Sequence, residues 1–209
     1  MAHVTATDAL KRLREGNQRF VSGLRSLETL MSHLRRREFV LHQEPFAVVL
    51  GCSDSRVPVE MVFDQGLGDL FVIRVAGNIV APSQIGSVEF AAERFGTRLV
   101  VVLGHTRCGA IDATLEELQR PTERQSRNLA SIVNRVRPSV QELLDTELRH
   151  DPVALAHQAV RANVRVATGA LRHGSEVLER LIQGDGLMVV GAEYALETGA
   201  VDFFDGLPQ

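Results

Sequence analysis

The stretch Phe46-Ala47-Val48-Val49-Leu50-Gly51-Cys52-Ser53-Asp54-Ser55-Arg56 (FAVVLGCSDSR, residues 46–56) passes from an apolar run straight to a thiol, a carboxylate and a guanidinium. A short valine-rich run of this kind suits a strand buried on both faces. Three more runs resemble it: Leu70–Val75, Leu99–Gly104 and Leu187–Gly191. Ala200–Phe204 reads as an edge strand. Helical spacing of apolar residues fills the intervals, over Pro82–Phe95, Cys108–Leu118 and Pro152–Ile182. The last is one long helix or two, with Gly169 and Gly174 as candidate breaks. Ahead of the first strand, residues 7–21 carry Leu10, Leu13, Asn17 and Phe20 at helical spacing, and a second helix is expected over 29–42.

Strands alternating with helices imply an α/β fold. The expected core is a mostly parallel central sheet of about four to five strands, flanked by helices and preceded by an N-terminal helical arm. A chain of 209 residues forms one ordinary core, so 1–209 is expected to be one domain with the arm over 1–42. Residues 119–128 (QRPTERQSRN) read as an exposed polar loop.

The net charge of −3, with the arginines scattered among acids, excludes the basic face of a nucleic-acid binder. No apolar run approaches the roughly 20 residues of a membrane helix, and the start shows no signal peptide. A cytoplasmic protein is expected. Two cysteines make no disulfide framework.

In sheets of this type ligands bind beyond the carboxyl ends of the strands. Cys52, Asp54 and Arg56 follow the first strand, and His105 and Cys108 follow the third. Each cysteine alone is most simply a packed core residue. Together, two thiols and an imidazole at H-x-x-C spacing form a borderline-soft donor set that suits zinc. Asp54 is the one acid close enough in sequence to Cys52 to be a fourth ligand, and Arg56 is placed to pair with it. Two other motifs fail. A phosphatase-type loop needs arginine where Pro58 stands. Gly66-Leu67-Gly68 precedes a strand and has Phe71 where a dinucleotide loop needs its third glycine.

Cys52-x-Asp54-Ser55-Arg56 with His105-x-x-Cys108-Gly109 resembles the motif of the β-class carbonic anhydrases. Gly16-Asn17-x-x-Phe20, Leu70–Arg74, Gly86–Phe90 and Gly191–Tyr194 with Gly199 extend the resemblance over most of residues 8–205. It implies one zinc per chain on Cys52, His105 and Cys108, and reversible hydration of carbon dioxide to bicarbonate and a proton. Asp54 and Arg56 would be the catalytic dyad. In the open state Asp54 accepts a hydrogen bond from zinc-bound water or hydroxide; in the closed state it binds zinc itself. Gln43, Phe71, Ala76, Phe90 and the Gly109 N–H would meet the substrate. Two thiolate ligands donate more charge than imidazoles, so activity is expected to rise toward alkaline pH.

The resemblance also implies a homodimer or dimer of dimers, with the arm wrapping a partner and the site near the interface. One subgroup has a second bicarbonate site built on a tryptophan. Val49 stands there, although Arg74 and Tyr194 match its other members, and Arg74 reads instead as a buried ion-pair residue. Two alternatives remain: hydrolysis of carbonyl sulfide or carbon disulfide on the same zinc site, and a non-catalytic zinc-binding bicarbonate sensor.

Overall fold

The computed structural model describes residues 4–121 and 126–208. It contains five strands: β1 (Ala47–Gly51), β2 (Leu70–Arg74), β3 (Leu99–His105), β4 (Met188–Tyr194) and β5 (Val201–Asp205). They form one sheet in the order β2-β1-β3-β4-β5. β1 pairs in parallel with β2 and β3, and β3 with β4, while β5 closes the edge antiparallel to β4. The expected α/β sheet is therefore present. The strand order reverses between β1 and β3, which makes their carboxyl ends the switch point where such sheets bind ligands.

Every residue of β1 and β3 is buried, because helices cover both faces. On one face, Ala47, Val49, Leu99, Val101 and Leu103 pack with Leu10, Leu13 and Phe63. These last come from α1 (Ala6–Val21) and the segment around the short α3 (Val59–Val62). On the other face, Val48, Leu50, Val100 and Val102 meet α4 (Pro82–Arg94), α7 (Pro152–His173) and α8 (Glu176–Gly184). A third cluster seals the carboxyl ends of the strands. It joins Cys52, Ile79 and Cys108 to Ile111 and Leu115 of α5 (Gly109–Gln119), and to Val136 and Val140 of α6 (Arg127–Val140).

α1 forms as expected. Thr5 caps it by accepting the Asp8 N–H, and Gly23, at φ 69°, ends the following turn. Asn17 is buried in it and answers three backbone groups: it donates to Val62 O and Gly199 O and accepts from Val201 N–H. The helix expected over 29–42 shrinks to α2 (Leu27–Met31) followed by 3-10 turns at Ser32–Arg35 and Glu38–Val40. The reason is a lack of anything to pack on: α2 buries no residue, and Leu27, Leu34, Val40 and Leu41 are all exposed. Asp64 ties this arm to the core. Its fully buried carboxylate takes Arg19 at 2.6 Å, Arg25 at 3.4 Å and the Ser26 N–H at 3.0 Å.

One further expectation is corrected, and one left open between two forms is resolved. α6 occupies a region left without an element, and it begins inside the stretch read as a loop; part of that stretch, 122–125, lies outside the described residues. The long C-terminal helical stretch breaks once, at Gly174, where Ser175 accepts the Leu178 N–H to start α8. Gly169 simply continues α7. No helix among the described residues is long and apolar enough to cross a membrane.

Candidate active site

β1 ends at Gly51, so Cys52 is the first side chain past it, and His105 is the last residue of β3. Arg107 adopts a left-handed backbone (φ 54°), turning the chain sharply enough to bring Cys108 back beside His105 at the start of α5. The donor atoms of Cys52, His105 and Cys108 all lie within 4.8 Å of one another, and all three residues are buried. The two sulfurs are 3.9 Å apart and form no disulfide. A tetrahedral zinc with ordinary zinc–sulfur bonds would set them about 3.8 Å apart.

The imidazole is prepared for the same geometry. His105 Nδ1 lies 2.9 Å from Thr106 O, so it carries the hydrogen and donates. That leaves Nε2 as a buried lone pair with no hydrogen-bond partner. An orphaned acceptor of this kind is costly unless something electrophilic sits there. The sulfurs tell the same story. A hydrogen bond from Cys108, helped by the nearby His105 imidazole and then by the Gly77 N–H, outweighs burial and lowers the Cys52 thiol to about 4. The same sulfur–sulfur bond and burial push the Cys108 thiol up. One proton is thus held between two sulfurs where a cation would neutralise both. The three residues fit a zinc ion.

Asp54 is beside them, its Oδ2 3.9 Å from His105 Nε2. Arg56 grips it in a fork, with Nε 2.9 Å from Oδ1 and Nη2 2.7 Å from Oδ2, and its own backbone N–H adds a third bond at 2.9 Å. These bonds hold the Asp54 carboxyl well below the usual carboxylate range, so it is ionised at any physiological pH.

Sequence reasoning missed much of what holds this arrangement in place. Within the described residues of the single chain, Arg74 binds backbone carbonyls and makes no buried ion pair. It is exposed, it has no carboxylate partner among the described residues, and it donates to Cys52 O at 3.0 Å and Asp54 O at 2.6 Å. Arg56 also donates to Arg107 O. The turn carrying Thr106 and Arg107 is clamped in turn by Glu197, which accepts both side chains. Nothing in the spacing of Arg74 or Glu197 announces these roles, because the partners are backbone carbonyls or distant loop residues.

The expected substrate contacts divide. Ala76 lies in the 3-10 turn Ala76–Asn78, next to Gly77, whose N–H meets the Cys52 sulfur at 3.4 Å. Gly109 opens α5 directly after Cys108, exposed and with free space around its Cα. Gln43, Phe71 and Phe90 are not at the triad. Phe71 pairs in register with Val48, three residues upstream of Gly51, and Gln43 precedes β1 altogether. Phe71, Phe90 and Phe95 form an aromatic cluster with ring centres 5.6–6.2 Å apart. Gln43, Phe90 and Phe95 line a cleft of about 440 Å³ at that end of the sheet. The length of β1, roughly 17 Å at the usual rise per residue, separates this cleft from the Cys52–His105–Cys108 triad.

A thiolate–imidazole donor set at the switch point of a doubly wound sheet, with an arginine-held carboxylate beside it, defines an α/β protein with a candidate three-ligand metal centre. Comparison with known proteins narrows this class. The carbonic anhydrase family model matches residues 47–201. A carbonic anhydrase 2 of Mycobacterium tuberculosis is 37% identical over 199 residues, covering 95% of this chain and 93% of the relative. A carbonic anhydrase of Mycolicibacterium smegmatis is 38% identical over 194 residues, covering 93% and 91%. Among solved structures, a tetrameric β-carbonic anhydrase of Sordaria macrospora superposes with a TM-score of 0.74 at 22% identity, covering 85% of this chain and 89% of that one. The chain belongs to the carbonic anhydrase family, in its β class.

Proposed function

We propose that this protein holds one zinc ion on Cys52, His105 and Cys108 and catalyses the reversible hydration of carbon dioxide to bicarbonate and a proton. The observation that carries this reading is the orphaned, buried His105 Nε2 facing two sulfurs that share a proton. Zinc bound there supplies a Lewis acid that lowers the pKa of water.

The chain's own residues do the rest. Asp54, ionised and acceptor-only, would accept a hydrogen bond from the reacting water and so orient its lone pair toward carbon dioxide. Arg56 keeps both Asp54 oxygens occupied, which holds the carboxylate off the metal position. Arg74 fixes the 52–54 loop through its carbonyls, so the carboxylate cannot drift. The Gly109 N–H, in the first turn of α5 where backbone N–H groups have no intrahelical partner, is the donor that would receive a substrate oxygen as charge develops there.

Carbon dioxide is small and apolar, so it needs an apolar wall. Ala76 supplies part of that wall within the chain. Gln43, Phe71 and Phe90 supply the remainder to a second copy. This reading is supported by their distance from their own triad and by the exposure of Phe90 at 53%. Leu27, Leu34, Val40 and Leu41 form an exposed apolar arm of the kind that a partner covers. We therefore read 1–209 as one domain whose arm, 1–42, packs on another copy in a homodimer or dimer of dimers. A cytoplasmic location accords with two free thiols, both placed in the donor set.

Stopped-flow hydration of carbon dioxide by the purified, zinc-loaded protein tests the reading. The rate should rise from about pH 6 to 9. Carbonyl sulfide and carbon disulfide are run beside it. Faster turnover of either sulfur compound, or zinc binding without turnover of any of the three, would overturn carbon dioxide hydration as the function.

A further inference from the structure

Asn163 lies in the middle of α7, only 3% exposed. Asparagine is a poor choice for a helix interior, since its amide competes with the backbone. Its presence there needs a partner, and the partner is specific. Asn163 Nδ2 donates to Gly77 O at 2.8 Å. Gly77 belongs to the turn that follows β2, and its own N–H donates to the Cys52 sulfur at 3.4 Å. The turn is closed on its other side by Asn78 N–H to Val75 O at 3.0 Å.

Gly77 is thus pinned from two directions, by a metal-donor sulfur and by a helix on the far side of the sheet ends. Its backbone is left-handed (φ 69°), which only glycine adopts without strain. A Cβ at this position would also stand 3.2 Å from the Ala110 Cβ and 3.5 Å from Val136 Cγ2. The turn therefore has little room to move between α5 and α6, and the Asn163 amide sets where its peptide groups point.

We propose that Asn163 is a positioning residue for the metal centre: it holds the Gly77 turn so that the Gly77 N–H donates to the Cys52 sulfur and tempers that sulfur's charge donation to zinc. A thiolate that gives electron density to an N–H gives less to its metal, which leaves the metal the stronger Lewis acid. The inference rests on the zinc reading above, and it explains why a polar side chain occupies a core position on α7.

Two variants remove the donor: Asn163→Ala, and Asn163→Asp, which keeps the shape. Thr168→Val on the same helix removes a different buried hydrogen bond, to Asp205, and serves as the control. Zinc affinity is measured against a competing chelator, and the sulfur-to-metal charge-transfer band is recorded after cobalt substitution. With the Gly77 turn unpinned and the Cys52 sulfur no longer held in place, both Asn163 variants should bind zinc about tenfold or more weakly. Their cobalt band should move to longer wavelength, because the filled sulfur orbital rises when it loses its hydrogen bond. The control should match the parent in both. Affinity within about twofold of the parent, or an unmoved band, would overturn the proposal. If the unaltered protein binds no zinc, the metal reading fails instead.

A measurement on the unaltered protein does not depend on how the variants fold. After loading with a spin-half cadmium isotope, the Gly77 amide proton should show scalar coupling to the metal through the Cys52 sulfur. Absence of that coupling in a loaded, folded sample would equally overturn the inference.

Discussion

If Gln43, Phe71 and Phe90 serve a neighbour's metal centre, two inactive chains should repair one another. The structure sets the design. Cys52→Ala destroys the triad but leaves the Gln43–Phe90 cleft untouched, because β1 lies between them. Gln43→Ala/Phe90→Ala strips the cleft and leaves the triad intact. Each homodimer then has two crippled sites. Denaturing an equal mixture and refolding it together makes half of the dimers mixed. In a mixed dimer one site combines the good triad of one chain with the good cleft of the other, and the second site has neither. One site in four is whole, so the mixture should recover about 25% of parental activity. If each chain used its own cleft, no site would be whole and the rate would stay at the sum of the two homodimers. Stopped-flow carbon dioxide hydration, measured before and after reassortment, reads the difference directly. A rate that does not rise on reassortment, with mixed dimers verified by mass, would refute the shared-site argument. Parental activity in the Gln43→Ala/Phe90→Ala homodimer would refute the role of those two residues.

Three further outcomes follow from particular contacts. Cys52→Ala should lose its zinc, read as metal per chain by elemental analysis; full occupancy in that variant would remove Cys52 from the donor set. Asp64→Asn should cost on the order of 2 kcal/mol at neutral pH, since hydrogen bonds to a buried charge are lost, and the cost is read by denaturant titration. Burial raises the Asp64 carboxyl, but Arg19, the Ser26 N–H and Arg25 outweigh it and leave the group lowered. Its contribution is therefore fully present above about pH 4, the unfolded value, and is lost as pH falls through the folded one; a variant–parent gap that widened in acid would contradict this. Gly16→Ala would put a Cβ 1.8 Å from the Phe63 carbonyl oxygen. The helix gains about 1 kcal/mol in propensity, but that clash involves rigid backbone, so thermal unfolding should show a net loss of roughly 1–3 kcal/mol.

The sheet was legible because a strand buried on both faces has a sequence that little else produces. Val48, Val49 and Leu50, or Val100, Val101 and Val102, cannot alternate with polar residues when helices cover both sides. The candidate metal donors were legible for a related reason: they follow those strands immediately, so a one-dimensional pattern fixes their place in three dimensions. What escaped has no such periodicity. α6 carries five arginine, asparagine or serine positions among its first nine residues, plus an internal Pro138, and its buried side is narrow: Val133, Val136, Ser139 and Val140. The arm reads as a helix because its leucines recur at suitable intervals. Nothing among the described residues covers those leucines, so only short turns form.

The division between triad and cleft follows from the same topology. Parallel strands point all their carboxyl ends one way, and the switch point gathers Cys52, His105 and Cys108 there. α4 starts near the carboxyl end of β2 and runs back along the sheet, so Phe90, two turns in, is carried toward the opposite end with Phe71. No local rearrangement brings that cluster to the metal donors without unpairing β1 from β2, which are in register over five residues. On the proposed reading of Phe71 and Phe90 as an apolar substrate wall, that wall serves another copy's site. The same reading gives the exposed leucines of the arm a physical role: packed on a second copy, they would bury apolar area that a lone chain leaves in water.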